Sequence, residues 1–289
     1  MANPTIKHFI FMRFFDRKIR TYPFDIFDVN FLSKQLVLVN NAFRTLENQS
    51  NQNFELVFLT NEKFLTEKKY EFILSTLKNS TTLPFKFIPY KDYPYLVVDA
   101  MNEYEFVIQS RLDFDDFIHK DLVADTQNKI NECDRILAYG YCKGYQYILG
   151  ELYTYFCQYS LVGHHSLLQS LIMDSSFAKK LPFIGIHNLP GIYPNMYNKY
   201  ISHTKIKNAL KEFLESNGVE LAENMFIQNI SPKSFIYFRH DFSQDQFQPW
   251  GNLISPLNIK NFTTKDDNIT KKQLEEEFGF TGHELKSIE

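Results

Sequence analysis

A short apolar run that stops abruptly in charge sets the strongest limit on the fold of this chain. Tyr104-Glu105-Phe106-Val107-Ile108 reads as a buried strand, rich in aromatic and β-branched residues. It leads into Gln109-Ser110-Arg111-Leu112-Asp113-Phe114-Asp115-Asp116-Phe117, with one Arg and three carboxylates within six positions. A sheet interior cannot hold lone charges, because desolvating a bare carboxylate costs far more than a fold can spare. The charges therefore belong at the strand's exit, with a positive group to meet them. Asp113 and Asp115 are two apart, so an extended backbone would aim both to one side. Two such carboxylates make a hard-oxygen site for Mg²⁺ or Mn²⁺ that keeps positions open for water and phosphate oxygens. Arg111 adds a planar fork suited to phosphate. The structural alternative is a solvated turn or a helix cap, with Asp116 capping a segment that starts near Phe117. A D-x-D alone does not decide between them.

The segments before this stretch alternate. Lys7 to Phe15 reads as strand one, with Arg13 at its carboxyl end. Ser33 to Leu46 has apolar residues at 36, 39, 43 and 46 and predicts an amphipathic helix capped by Ser33. Phe54 to Thr60 is strand two, Glu62 to Lys78 a second helix, and Pro84 to Pro89 a Pro-bounded third strand. Tyr90 to Asn102 reads as a loop with a short helix. This alternation predicts a doubly wound parallel α/β sheet in which the fourth strand, the one ending in acid, lies centrally.

Lys120 to Asn131 then predicts a helix, and Arg135 to Tyr139 and Tyr145 to Leu149 two strands around a turn from Gly140 to Gly144. Ser166 to Met173 reads as a short helix, and Ile206 to Glu215 as another. The character changes near Gly218, which divides a main domain, 1–217, from a C-terminal extension, 218–289, packed on it. The extension ends in a helix with a capping box, Thr270-Lys271-Lys272-Gln273, and a Gly stop at Gly279.

Composition removes several classes. The 289 residues carry a net charge of −3, against the basic excess of a nucleic-acid binder. Three cysteines without C-x-x-C spacing predict neither a zinc site nor a disulfide framework, and fit a reducing compartment. There is no secretory signal pattern at the N-terminus and no apolar run long enough to cross a bilayer. Neither G-x-G-x-x-G nor G-x-x-x-x-G-K occurs, so Rossmann dinucleotide and P-loop readings lose their main support.

The order of elements and the block Arg111 to Asp116 together resemble the GT-A glycosyltransferases, and within them a bacterial rhamnosyltransferase family. The resemblance rests on Arg13-Phe14 ending strand one, Asn51-Gln52-Asn53-Phe54 leading into strand two, and Arg111-Leu112-Asp113-Phe114-Asp115-Asp116. It covers roughly the first half of the chain. It implies a Rossmann-like, mostly parallel central sheet flanked by helices, with a C-terminal helical or irregular extension. It also implies transfer of a sugar, rhamnose among the candidates, from a nucleotide-sugar donor to a surface glycan or its lipid-linked precursor. Carried over by residue, Phe11, Arg13, Phe14, Asn61, Arg111 and Asp113 would meet the nucleotide and its phosphates. Asp113, Asp115 and Asp116 would hold Mn²⁺ or Mg²⁺, with direct contact mainly from Asp115. A further metal ligand would be His203, in preference to His187. An inverting enzyme adds a carboxylate base, and Glu151 and Asp174 are the candidates in the second half. The family's acidic pair for this base is not evident here. The resemblance implies a cytoplasmic location, with a peripheral seat on the inner membrane face as an option.

Two other classes compete. A nucleotidyltransferase on a similar sheet should carry a Gly-rich loop after strand one, and Phe14 to Tyr22 contains no Gly. A non-catalytic carbohydrate- or metal-binding module would keep the aspartates and bind no nucleoside diphosphate.

Overall fold

The computed structural model describes residues 4–14, 29–66, 68–114, 116–141, 143–148, 151–156, 169–178, 215–216, 226–229, 235–238, 264–265 and 269–279. Twelve strands and seven helices are distinguished among them. The chain starts with β1 (Ile6–Arg13), α1 (Val29–Glu47), β2 (Glu55–Thr60), α2 (Glu62–Thr66), α3 (Lys68–Ser80), β3 (Phe85–Pro89), α4 (Tyr93–Glu103) and β4 (Phe106–Leu112). It continues through β5 (Asp116–Ile118), α5 (Leu122–Asn128), β6 (Ile136–Tyr141), β7 (Lys143–Ile148), β8 (Glu151–Phe156), β9 (Gln169–Asp174) and α6 (Ser175–Ala178). The last elements are β10 (Phe226–Asn229), β11 (Phe235–Phe238), β12 (Thr264–Lys265) and α7 (Lys271–Phe278).

Seven strands form the main sheet in the order β10-β6-β9-β4-β1-β2-β3, with β4 at its centre as expected. β3, β2, β1 and β4 run parallel, and β10 is parallel to β6. β9 alone runs the other way, antiparallel to both β4 and β6. The sheet is therefore mostly parallel, as expected, with one reversed strand. Helices cover both faces, and the alternation along the strands sorts the core accordingly. Ile10, Met12, Leu56, Phe58 and Leu112 pack with Val39 and Phe43 of α1, Ile73 and Leu77 of α3, and Leu122 of α5. Phe9, Phe11, Val57, Leu59 and Val107 pack with Val97 and Met101 of α4. Right-handed crossovers require this division. The chain steps from β1 to β2 to β3 in one direction with helices on one face, then returns past β1 to β4 with α4 on the other face.

A second sheet has the order β12-β8-β7-β11-β5. It grows out of the acidic stretch, since β5 follows β4 after a turn. Residues beyond 218 enter both sheets: β10 joins β6, β11 lies between β7 and β5, and β12 pairs with β8. The capping box and Gly stop of α7 are as expected. Thr270 accepts from the Gln273 backbone amide, Gln273 accepts from the Thr270 amide, and Gly279 sits left-handed at φ 69°.

Several expectations are corrected. α1 begins at Val29, so Ser33 lies inside it and not at its N-terminus. The reason is Leu32, buried at 5% exposure, which extends the apolar stripe one turn earlier. The second helix is two helices, α2 and α3. Tyr93 to Glu103 is a full helix with Pro94 in its first turn, where proline's missing N–H costs nothing. The span from Lys120 holds the shorter α5 and a 3₁₀ turn, Lys129–Glu132. Gly140 and Gly144 lie within β6 and β7, which belong to different sheets, and form no hairpin turn. The expected helix at 166–173 is instead β9, whose Ser170, Leu171, Ile172 and Met173 are all buried. A strand covered on both faces has no alternation to read. The expected helix at 206–215 lies almost entirely outside the described residues. Among the described residues, no helix is long and apolar enough to cross a membrane.

Candidate functional site

In an open α/β sheet, the crevice for a ligand opens at the carboxyl ends of the strands where the winding reverses. Here the reversal falls between β1 and β4, which are neighbours in register Phe11↔Arg111 and Met12↔Leu112. Arg13 and Asp113 are the next residues along these two strands, so the topology brings the two sequence-predicted strand ends together. Of Arg13 the backbone is described, paired with Leu59 of β2.

At the end of β4, Arg111 Nη2 lies 2.5 Å from Asp113 Oδ2. The side chains are 14% and 24% exposed, so the pair is at the surface of the crevice and within reach of solvent. The positive partner that the sequence demanded is thus Arg111 itself. The backbone then turns: the Asp116 amide donates to the Asp113 carbonyl at 3.1 Å. Asp116 opens β5 and is fully buried, so it is neither a helix cap nor on the open side of the turn. Asp115, His187 and His203 lie outside the described residues, and among those described no three His, Cys, Asp or Glu side chains gather in a metal-binding group. Of the expected oxygen donors the structure describes Asp113, whose Oδ2 is engaged by Arg111, and Asp116, which is buried.

Phe11 and Phe14 are buried at 0% and 1%. Phe11 stacks on Phe9 and meets Tyr93 edge-on, while Phe14 packs against Phe58, Phe64, Phe87 and Phe114. Neither ring reaches solvent. Asn61 follows β2, half-buried, and its carbonyl accepts from the Phe64 amide at 3.0 Å.

The two candidate bases separate cleanly. Asp174 pairs with Phe106, the first residue of β4, because β9 runs backwards. That puts it at the opposite end of the strands, roughly 20 Å from Asp113 at ~3.3 Å per residue. Its Oδ1 accepts from Ser176 Oγ at 2.6 Å and the Phe177 amide at 3.0 Å, the work of a helix cap. Glu151 heads β8 and pairs with Ile148. Asp116, Tyr237 and Gln146 form one row across β5, β11 and β7, and the direction from Gln146 to Ile148 matches that from Asp116 back to Phe114. The paired residues Ile148 and Glu151 therefore lie at the same end of the second sheet as the acidic turn. Strand direction, invisible in the sequence, separates these two carboxylates.

A buried polar network supports the crevice from below. Gln127 donates to His8 Nδ1 (3.2 Å) and to the Asn53 carbonyl (2.7 Å), and accepts from Asn51 Nδ2 (2.9 Å). Burial holds His8 neutral, with its pKa lowered to about 3. Its one proton then sits on Nε2 and goes to Ser110 Oγ at 2.7 Å, and Ser110 meets Ser170 at 2.6 Å. This network ties β1, β4 and β9 together directly below Arg111. The sequence signal for it was a His and a Ser inside otherwise apolar strands.

No family model and no curated protein matches the chain. Solved structures give weak likenesses. *Staphylococcus aureus* TarS 1–349 in complex with UDP is 14% identical with a TM-score of 0.39, covering 81% of this chain. This chain spans 61% of that structure and 37% of the longer TarS structure. A *Desulfovibrio desulfuricans* G20 protein named for nucleotide-diphospho-sugar transfer is 11% identical with a TM-score of 0.42, covering 98% of this chain and 94% of that one. The 4-diphosphocytidyl-2C-methyl-D-erythritol synthase of *Anaerococcus prevotii* is 9% identical with a TM-score of 0.36, covering 78% and 87%. Likenesses at this level do not identify the chain.

Proposed function

We propose that this chain is a glycosyltransferase that takes a sugar from a nucleotide-sugar donor, holding the donor's diphosphate at the carboxyl ends of β1 and β4. The observation that carries the reading is the Arg111–Asp113 pair at the reversal of the sheet, with Arg111 in register with Phe11 and Asp113 one residue past the last pair with β1. A departing nucleoside diphosphate develops charge on its oxygens, and fixed cations stabilise that charge. Arg111 supplies one from β4, and Arg13 is proposed to supply another from β1. Asp113 and Asp115 are proposed to hold Mg²⁺ or Mn²⁺, which neutralises diphosphate charge when bound. Asp116, from its buried place at the head of β5, would support the turn that presents them, and His203 or His187 would complete the ligand set. Glu151 is the proposed base, since its strand begins at the end of the second sheet that faces the turn. Its part is to take the proton of the acceptor hydroxyl as the bond to the sugar forms. The proposed donor sugar is rhamnose, and the proposed acceptor a surface glycan or its lipid-linked precursor at the inner membrane face.

The test is calorimetry of the protein with a panel of nucleoside diphosphates, with and without Mn²⁺. Mn²⁺-dependent binding that Asp115→Ala abolishes, with the fold intact by circular dichroism, is the expected result. Absence of binding to every diphosphate would leave a non-catalytic module, and preferential binding of a nucleoside triphosphate a nucleotidyltransferase.

A further inference from the structure

The acidic turn has little regular structure of its own. Asp113 and Phe114 lie between strands, and β5 is only three residues long. Something outside it must fix its position, and the described residues show what does. Phe117, 2% exposed, packs in a cluster with Leu38 of α1, Tyr145 of β7 and Phe278 of α7, and Phe114 lies against the same cluster. Phe278 is fully buried, and its ring meets the edges of His119 (5.6 Å) and Tyr145 (6.2 Å). One residue along, the Lys120 amide donates to the Glu277 carbonyl at 2.8 Å. The other side of α7 is held by α1. Asn48 Nδ2 reaches the Glu276 carbonyl, and a Cβ on Gly279 would stand 3.1 Å from the Arg44 carbonyl. Only glycine combines that approach with φ 69° at low cost.

We infer that α7 is a prop for the acidic turn, and that Phe278 is a positioning residue acting on Asp113 and Asp116 through Phe117. The inference rests on the reading of that turn as the diphosphate and cation site. It adds that the turn's geometry is set by a helix about 160 residues further along the chain. A site held even 1 Å too loosely loses much of its affinity, so removing the prop should act on binding more than on the fold. The seven-stranded sheet does not include α7 and keeps its own clusters.

The experiment compares wild type with Phe278→Ala, Phe278→Leu and the milder Gly279→Ala. Three quantities are read: Mn²⁺ affinity with and without the diphosphate that wild type binds, amide exchange by residue, and melting temperature. Phe278→Ala should weaken Mn²⁺-dependent binding about tenfold or more and speed exchange at 116–120, with β1, β2 and β4 unchanged. Phe278→Leu should restore most of the affinity, and Gly279→Ala should shift it in the same direction by less. An unchanged affinity, or faster exchange spread over the whole sheet, overturns the inference. If wild type binds neither Mn²⁺ nor any diphosphate, the glycosyltransferase reading fails. The exchange data then decide alone: local loosening at 116–120 upholds the prop, and none refutes it.

Discussion

Arg111 and Asp113, two residues apart, close on each other at the mouth of the crevice through a 2.5 Å ion pair. A part-exposed pair of this kind contributes little to stability, so its removal should be felt in binding. Asp113→Ala should lower Mn²⁺-dependent diphosphate affinity about tenfold or more, as expected for loss of a charged contact. Arg111→Lys should not rescue Arg111→Ala, because an ammonium lacks the planar fork. Titration calorimetry reads both. Wild-type affinity in Asp113→Ala would remove the turn from the site.

The two carboxylates of the second half should respond in opposite ways. Glu151→Gln should lower kcat roughly 10²–10⁴-fold with an unchanged melting curve, the range for loss of a positioned general base. Asp174→Ala should leave kcat alone and cost about 1 kcal/mol of stability, since it removes the cap of α6. Steady-state kinetics and urea unfolding of the two variants check the pair of outcomes.

His8 makes stability depend on pH in a defined window. Buried and neutral, it keeps a folded pKa of about 3, against an ordinary 6.5 in the unfolded chain. Between those values the unfolded state binds a proton that the folded state refuses, so stability falls as pH drops from 6.5 towards 3. The slope contributed by this one group is up to ~1.4 kcal/mol per pH unit. His8→Gln should flatten that part of the profile in urea unfolding measured from pH 7 to 4.

The lead into β2 should matter through its amides. Gln52 Nε2 donates to the carbonyls of Leu46, Glu47 and Gln49, closing the end of α1. Gln49, buried, bridges the Thr45 and His119 carbonyls and the Val123 amide, tying α1 to the segment after β5. Gln49→Ala leaves buried backbone groups unpaired and should cost about 1–3 kcal/mol. Exposed Gln52→Ala should cost less. Denaturant midpoints of the two variants test the ranking.

What the sequence made legible was local. The capping box and Gly stop of α7 follow from side chains that act on their own backbone, and the alternation through β4 follows from period. The exit of β4 was legible too, because Arg111 and Asp113 could not be buried apart. The second sheet was not, since β5 meets β7 only through β11, more than a hundred residues downstream. β9 shows no strand alternation because both its faces are covered. Without its direction, the sequence does not distinguish Asp174, at the far end of the strands, from Glu151.

The reversal of β9 also sets an order of assembly during synthesis. β1 to β4 lie within the first 112 residues and can pair as soon as they leave the ribosome. Among the described residues, β6 hydrogen-bonds into the sheet beside β9 rather than β4, and β10 beside β6. Until Gln169–Asp174 emerges, a nascent chain carries the central strand with one bare edge, open to any extended segment nearby.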